Sequence, residues 1–339
     1  MRLSITVPVD DPRQAGATFA QLEAAGYDGA SSFESRHDPF LPLAAAATTT
    51  ETLQLSTAVA IGFARNPMVL AETGNDLQLL TGGRFGLGLG SQVRPHIERR
   101  FSETWSQPAR RMGEMVQAIK AIWAAWADGT ALDFDGEFYR HTLMTPAFDP
   151  GPNPFGPPPV LIGGFGPAMV TTAGRVADGL IVHPFTTRRS FEELTLPALD
   201  RGLALSGRSR SHLDVEWVTM VVTWSTESQR QQAMRSARQQ LSFYGSTPAY
   251  RPPLDLHGWG GLQPELNRLS KQGRWDEMAE LIPDELVEAV AVVGPRDEIA
   301  ARLVARAEGL ADHLGLVNSR NPDPAHFADI VADLRRQTA

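Results

Sequence analysis

Residues 31–43 read SSFESRHDPFLPL, and five consecutive positions of that run carry a carboxylate at Glu34, a guanidinium at Arg36, an imidazole at His37 and a second carboxylate at Asp38. An acid and a histidine three residues apart in a turn are the parts of a proton-transfer pair, with Glu34 and His37 converging on one ligand. The same spacing suits a solvated turn closed by a local ion pair, and residue types alone do not choose between the two. Position supplies the missing criterion. The run lies between a short apolar stretch and an alanine-rich helix, so it is a strand-to-helix turn, and its meaning depends on which end of the fold it occupies.

Three other stretches offer chemistry through the backbone. The segment PVLIGGFGPAMVTTAGRVADG (159–179) leads a strand into Gly163, Gly164, Phe165 and Gly166, then opens a helix at Pro167, a favoured first-turn residue. Free N–H groups at a helix start, reached through glycines, form an anion site that suits a phosphate. A glycine turn used only for packing is the alternative. GLGLGSQV (86–93) is a dinucleotide motif only on the surface, because no acid follows about 20 residues later in a Rossmann unit. It stays a candidate backbone cradle through Gly90, Ser91 and Gln92. In STAVAIGFARNP (56–67) the small side chains of Ser56, Thr57 and Ala58 admit a flat ligand or, equally, a tightly packed layer. His183 ends a strand, and Arg94, Arg99, Arg100, Arg110 and Arg111 form a basic patch that reaches an anionic tail or lines a solvated face. No metal site is expected, since the eight histidines show no HxxxH or HxH spacing. A GxSxG elbow is absent, which argues against a serine hydrolase.

Positioning these residues falls to a repeating strand-and-helix pattern. Apolar runs predict strands at 3–8, 28–33, 53–59, 84–90, 159–164, 179–184, 215–224 and 312–318. Helical periodicity lies between them, at 12–26, 67–83 and 109–126 among others, and Met112, Met115, Val116, Ile119, Ile122, Trp123 and Trp126 mark a buried stripe on the last. Eight strands separated by helices favour a closed (β/α)8 TIM barrel, an α/β fold, over an open sheet, with AVAVVGP (289–295) a ninth strand or a strand-like loop. Residues 127–158, after the fourth helix, are rich in proline and read as an ordered excursion without regular structure. Residues 241–285, before the last strand, read as extra turns and short helices. Neither stretch has linker composition, so 1–339 is expected to be a single domain. In such a barrel active sites lie at the C-terminal ends of the strands, which places Glu34 and His37 on the catalytic face.

Composition narrows the classes. With 39 acidic against 31 basic residues, a net charge of -8 and no cysteine, the chain lacks the basic field for nucleic acid and excludes disulfides, thiolate metal sites and a cysteine nucleophile. No apolar run of about 18 residues is present to cross a membrane, and MRLSITVPVD is not a signal peptide, so a cytoplasmic protein is the expectation.

The stretches GYDGASSFESRHDPFLPLAAAA, LQLSTAVAIGFARNPMVLAETGNDLQLLTGGRFGLGLGSQ, HIERRFSETWSQPARRMGEMVQAIKAIW, FDGEFYRHTLMTP and GPPPVLIGGFGPAMVTTAGRVADGL together resemble the luciferase-like monooxygenase superfamily, specifically its deazaflavin (coenzyme F420)-dependent oxidoreductase branch. The likeness runs over nearly the whole chain, and TGGRFGLGLG with NPMVLAE is its most specific part. It implies a barrel whose strand ends carry coenzyme F420, or alternatively FMN, against a small organic substrate, in an enzyme whose relatives often pair as homodimers. It also implies a non-proline cis peptide at Ala58–Val59 backing the ring, phosphate contacts at Gly163, Gly164, Phe165 and Gly166, and cofactor contacts at Gly90, Ser91 and Gln92. Where the family carries an Asp-His pair after strand two, this chain has Glu34-Ser35, with His37 two residues on. The acid therefore transfers to Glu34, and the histidine only by proximity. Trp105, Tyr139, Phe155, Tyr244 and Trp259 are the expected roof over the substrate.

Overall fold

The computed structural model describes residues 2–317 and 324–338. Eight parallel strands close into a barrel: β1 Arg2–Val7, β2 Gly29–Ser32, β3 Gln54–Thr57, β4 Phe85–Gly90, β5 Val160–Gly164, β6 Gly179–Val182, β7 Asp214–Trp224 and β8 His313–Val317. Neighbours in sequence are neighbours in the wall, and β8 returns to β1 through Ser4 opposite Gly315. The predicted strands are all present within a residue or two at each end, although residue 318 lies outside the described residues. Val292–Pro295 resolves the ambiguous segment. It is a short parallel strand on the outer end of β7, opposite Val221–Trp224, and not one of the eight.

Side-chain size explains the wall. In β4 the sequence FGLGLG alternates, so Leu87 points out against the helix Pro67–Leu80 while Gly86, Gly88 and Gly90 turn inward. The helix Pro108–Asp128 buries the expected stripe, Met112 through Trp126, each side chain contributing on the order of 2 kcal/mol relative to exposure. Its Trp123 Nε1 donates to the Ala71 carbonyl at 3.0 Å, which fixes this helix against its neighbour. The neighbour is begun by Asn66, whose side chain accepts from the Val69 N–H at 3.0 Å, with Pro67 in the first turn.

Both excursions are ordered. The first departs from expectation in one respect: Phe134–Asp135 and Arg140–His141 pair as a small antiparallel hairpin, formed in its proline-free part. Three N–H groups of that hairpin, from Glu137, Phe138 and Tyr139, donate to the Glu114 carboxylate of the long helix, an anchor that no local pattern announces. The second excursion is helical at Arg251–Leu256, Leu262–Lys271 and Trp275–Glu280. Among the described residues no helix is long and apolar enough to cross a membrane.

The opposite, N-terminal end of the barrel holds a cavity of about 160 Å³ bordered by Ser4, Asp214, Glu216 and His313. Ser4 Oγ donates to the buried Glu216 carboxylate, and His313 lies between Asp214 at 3.5 Å and Glu216 at 3.8 Å. This end of a barrel serves stability, not chemistry. Burial alone would lower the pKa of His313, but the two carboxylates outweigh it and raise the ring from 6.5 to about 9. A folded-state value above the unfolded one means stability that is full below pH 6.5 and is lost as pH rises through 9. Urea midpoints are therefore expected to fall between pH 7 and 9.5, and His313→Gln should flatten that decline. Parallel curves for the two proteins would refute the assignment.

Candidate active site

At the C-terminal end of β3 the ladder changes partner. Thr57 Oγ1 accepts from the Gly88 N–H at 2.9 Å and donates to the Gly88 carbonyl at 2.6 Å, which occupies the ladder positions where β3 leaves β4. The next peptide, Ala58–Val59, is cis, as the family resemblance implies. β2 straddles it: Ala58 N–H donates to the Ser32 carbonyl at 2.8 Å, and Glu34 N–H donates to the Val59 carbonyl at 3.1 Å. Ala60–Ile61 then rejoins β4 opposite Leu89 and Gly90.

The glycines around this turn make room for Val59. A Cβ on Gly90 would lie 2.5 Å from Val59 Cγ2, and one on Gly163 would lie 2.9 Å from Val59 Cγ1. Two of the glycines expected to touch a ligand are thus also needed for packing. Gly164 is closed in by Leu180 and Val170, whereas a Cβ on Gly166 would meet nothing within 4 Å. Gly166 is the N-cap of the helix Pro167–Val176 and gives it no side-chain cap, so the approach to the N–H groups of its first turn is open to an anion. Gln92 holds a left-handed φ of 58°, with its side chain accepting from the Val93 N–H at 2.9 Å, and Ser91 Oγ donates to the Gln92 carbonyl at 3.2 Å. A non-glycine residue in that region is uncommon and clusters at functional turns.

Glu34 and His37 are both on the face expected, but each has its own partner. Glu34 Oε2 accepts from Arg65 Nη1 at 2.6 Å and from the Ile61 N–H at 2.8 Å, and the carboxylate is 6% exposed. The other arm of Arg65 reaches Asp38 at 2.9 Å, and Asp38 in turn caps the N–H groups of Phe40 and Leu41. Burial would lower the pKa of Arg65, yet Glu34 and Asp38 outweigh it and raise it above its ordinary value. His37 is exposed, and its Nε2 lies 3.1 Å from the Asp10 carbonyl. Sequence reasoning missed Arg65. The signal was two acids after β2 facing one arginine after β3, and adjacency of the two strands in the barrel makes that pair.

The basic patch is largely spoken for. Arg100 Nη2 donates to the Ser35 carbonyl at 2.7 Å, Arg94 pairs with Glu98, and Arg110 pairs with Glu137. Arg111 lies over the Phe63 ring at 4.7 Å and donates to the Tyr139 hydroxyl at 2.8 Å, and Trp105 meets Phe63 edge-on at 5.8 Å. Trp105 and Tyr139 therefore share one wall. Phe155 does not join it. It covers Gly83 ahead of β4, at the other end of the strand, because the proline-rich excursion runs back down the outside of the barrel. Trp259 stacks on His257 at 5.0 Å beside Thr187. Beyond β6, Tyr244 and Tyr250 close around His183 at 4.9 and 4.5 Å.

An uncharacterised protein of Mycobacterium tuberculosis is 51% identical over 314 residues, 93% of this chain and 92% of its own length. The 5,10-methylenetetrahydromethanopterin reductase of Archaeoglobus fulgidus is 28% identical over 265 residues, 75% of this chain and 73% of that one. Among solved structures, the coenzyme F420-dependent tetrahydromethanopterin reductase of Methanopyrus kandleri superposes with a TM-score of 0.78 over 97% of this chain and 96% of that chain, at 18% identity, which makes it a match of fold. The sequence model for luciferase-like monooxygenases matches residues 2–313, every barrel strand up to the first residue of β8, so the chain belongs to the luciferase-like monooxygenase family.

Proposed function

We propose that the protein is a coenzyme F420-dependent oxidoreductase that moves a hydride between the deazaflavin and a small organic substrate. The observation that carries this reading is the combination at one rim of a glycine-lined floor, where Gly90 and Gly163 face the Val59 methyl groups, and a helix start at Gly166 with no side-chain cap. A flat ring fits against the first, and an anionic group fits the second. The Archaeoglobus fulgidus relative supports a reductase over the alternative, an FMN-dependent monooxygenase. Ala58, Val59, Gly90, Ser91 and Gln92 would back the ring, and Gly163, Gly164, Phe165 and Gly166 would bring its phosphate to the helix. When bound, the deazaflavin supplies a carbon that gives or takes a hydride.

The chain's own contribution is placement and proton traffic. Glu34, committed to Arg65, holds the ends of β2 and β3 in register and acts as a positioning residue. His37 is exposed and bonded to a backbone carbonyl, which leaves it the group of this loop best able to carry a proton.

Fluorescence quenching with oxidised coenzyme F420 and with FMN, each titrated against the protein, tests the reading. The deazaflavin should bind at least ten times more tightly, and preference for FMN would overturn the proposal. His37→Gln is expected to leave that affinity unchanged, since a proton carrier is not a ring support. Weakened binding would move His37 into the cofactor site instead.

A further inference from the structure

His183 follows the last residue of β6 and lies next to the Gly163–Gly166 loop through Phe165, 5.5 Å from its ring. Its Nδ1 accepts the Phe185 N–H at 3.1 Å, which places the ring proton on Nε2. Burial pushes its pKa down to about 3, so the imidazole stays neutral at ordinary pH. Burial also raises the hydroxyls of Tyr244 and Tyr250, which keeps them protonated. Among the described residues Nε2 has no hydrogen-bond partner, and His183 as a residue is half-buried. Arg306, the cation behind this loop, donates through Nη1 to the Ala289 carbonyl and through Nη2 to the carbonyls of Thr186 and Val290, and it lies over Trp217. Among the described residues, the recess therefore holds an open N–H donor beside three aromatic rings, with no cation turned toward it.

We propose that His183 is the substrate-recognition donor of this mouth, hydrogen-bonding through Nε2 to the oxygen of an uncharged carbonyl compound or alcohol whose apolar body packs on Phe165, Tyr244 and Tyr250. The substrate assignment rests on the oxidoreductase reading above. Phosphorylated and carboxylated compounds are disfavoured, because an anion entering this recess loses its hydration and finds no counter-charge among the described residues. A neutral oxygen needs only the one donor. Specificity then comes from an unpaired donor that an isostere without oxygen leaves unsatisfied.

The test uses three cyclohexane probes of similar body: cyclohexanone, methylenecyclohexane and cyclohexanecarboxylate. Each is titrated into nitrogen-15-labelled protein, both free of cofactor and saturated with the deazaflavin, while the imidazole nitrogen signals are followed by NMR. Cyclohexanone is expected to shift the Nε2–H signal of His183 and leave Nδ1 near its starting position, with the carboxylate binding about tenfold more weakly. His183→Phe, which keeps an aromatic ring, should weaken cyclohexanone about fivefold and erase its preference over methylenecyclohexane. If that variant does not fold, the wild-type NMR titration decides alone. Equal or tighter binding of the carboxylate, an unmoved His183 signal, or unchanged affinity in a folded His183→Phe would overturn the proposal. Failure of the cofactor reading shows separately, as FMN preference in the quenching titration, and leaves the cofactor-free titration interpretable.

Discussion

Arg65→Met is expected to destabilise the protein by about 3–5 kcal/mol, measured as the loss of unfolding free energy in guanidinium at pH 7. The side chain of Glu34 is 6% exposed and that of Arg65 16%, so water is a poor substitute for either partner. Without the guanidinium, the carboxylate keeps one N–H donor, from Ile61, inside a wall that excludes solvent. Most of the loss comes from that stranded charge and not from the worth of the pair itself. Adding Glu34→Gln to Arg65→Met should therefore restore a large part of the stability, a coupling that a double-mutant cycle reads directly. Asp38→Asn is the control. Its carboxylate is 38% exposed, and its loss should cost no more than about 1 kcal/mol. Additive effects of the two changes, or a stable Arg65→Met, would refute the buried-pair account.

A comparable loss, about 3 kcal/mol or more, is expected for Gly88→Ala. The new Cβ would stand 1.8 Å from the Thr57 carbonyl oxygen, which belongs to the backbone and cannot rotate away. The clash also falls on the Thr57–Gly88 hydrogen bonds that end β3, so the damage should reach the cis turn next to them. Gly90→Ala gives a sharp contrast. Its clash is with Val59 Cγ2 at 2.5 Å, a side-chain atom, and should cost about 1–3 kcal/mol. Combining it with Val59→Ala removes the obstructing methyl groups and should recover most of that loss. The same Val59→Ala should do nothing for Gly88→Ala. Thermal unfolding of the four proteins distinguishes the cases, and rescue of Gly88→Ala by Val59→Ala would show that the wall had been misread.

Much of the frame was legible locally. Leucine and glycine alternating in FGLGLG, the apolar stripe from Met112 to Trp126, and glycines such as Gly26 and Gly309 that end helices at positive φ are short-range patterns. They set strand count, helix faces and turn positions, and the barrel rule then put Glu34, His37, Gly90 and Gly163 at one rim. The excursions were less legible. Glu114 reaches a hairpin more than 20 residues away, and Phe155 lies at the far end of β4, because packing against the finished barrel decides where such chain goes.

By itself, then, the amino-acid order determined the wall of eight strands, the loops that crown it and the absence of cysteine chemistry, since these depend on residue size, period and composition. Only the tertiary structure decided what each polar group does. Glu34 belongs to Arg65 because β2 and β3 are adjacent, Gly90 and Gly163 are small because Val59 projects between them, and His183 is a neutral donor because Phe185 N–H takes Nδ1 and three rings exclude charge. Partnership, tautomer and ionisation follow from distances and burial across chain segments, and one-dimensional spacing does not contain them.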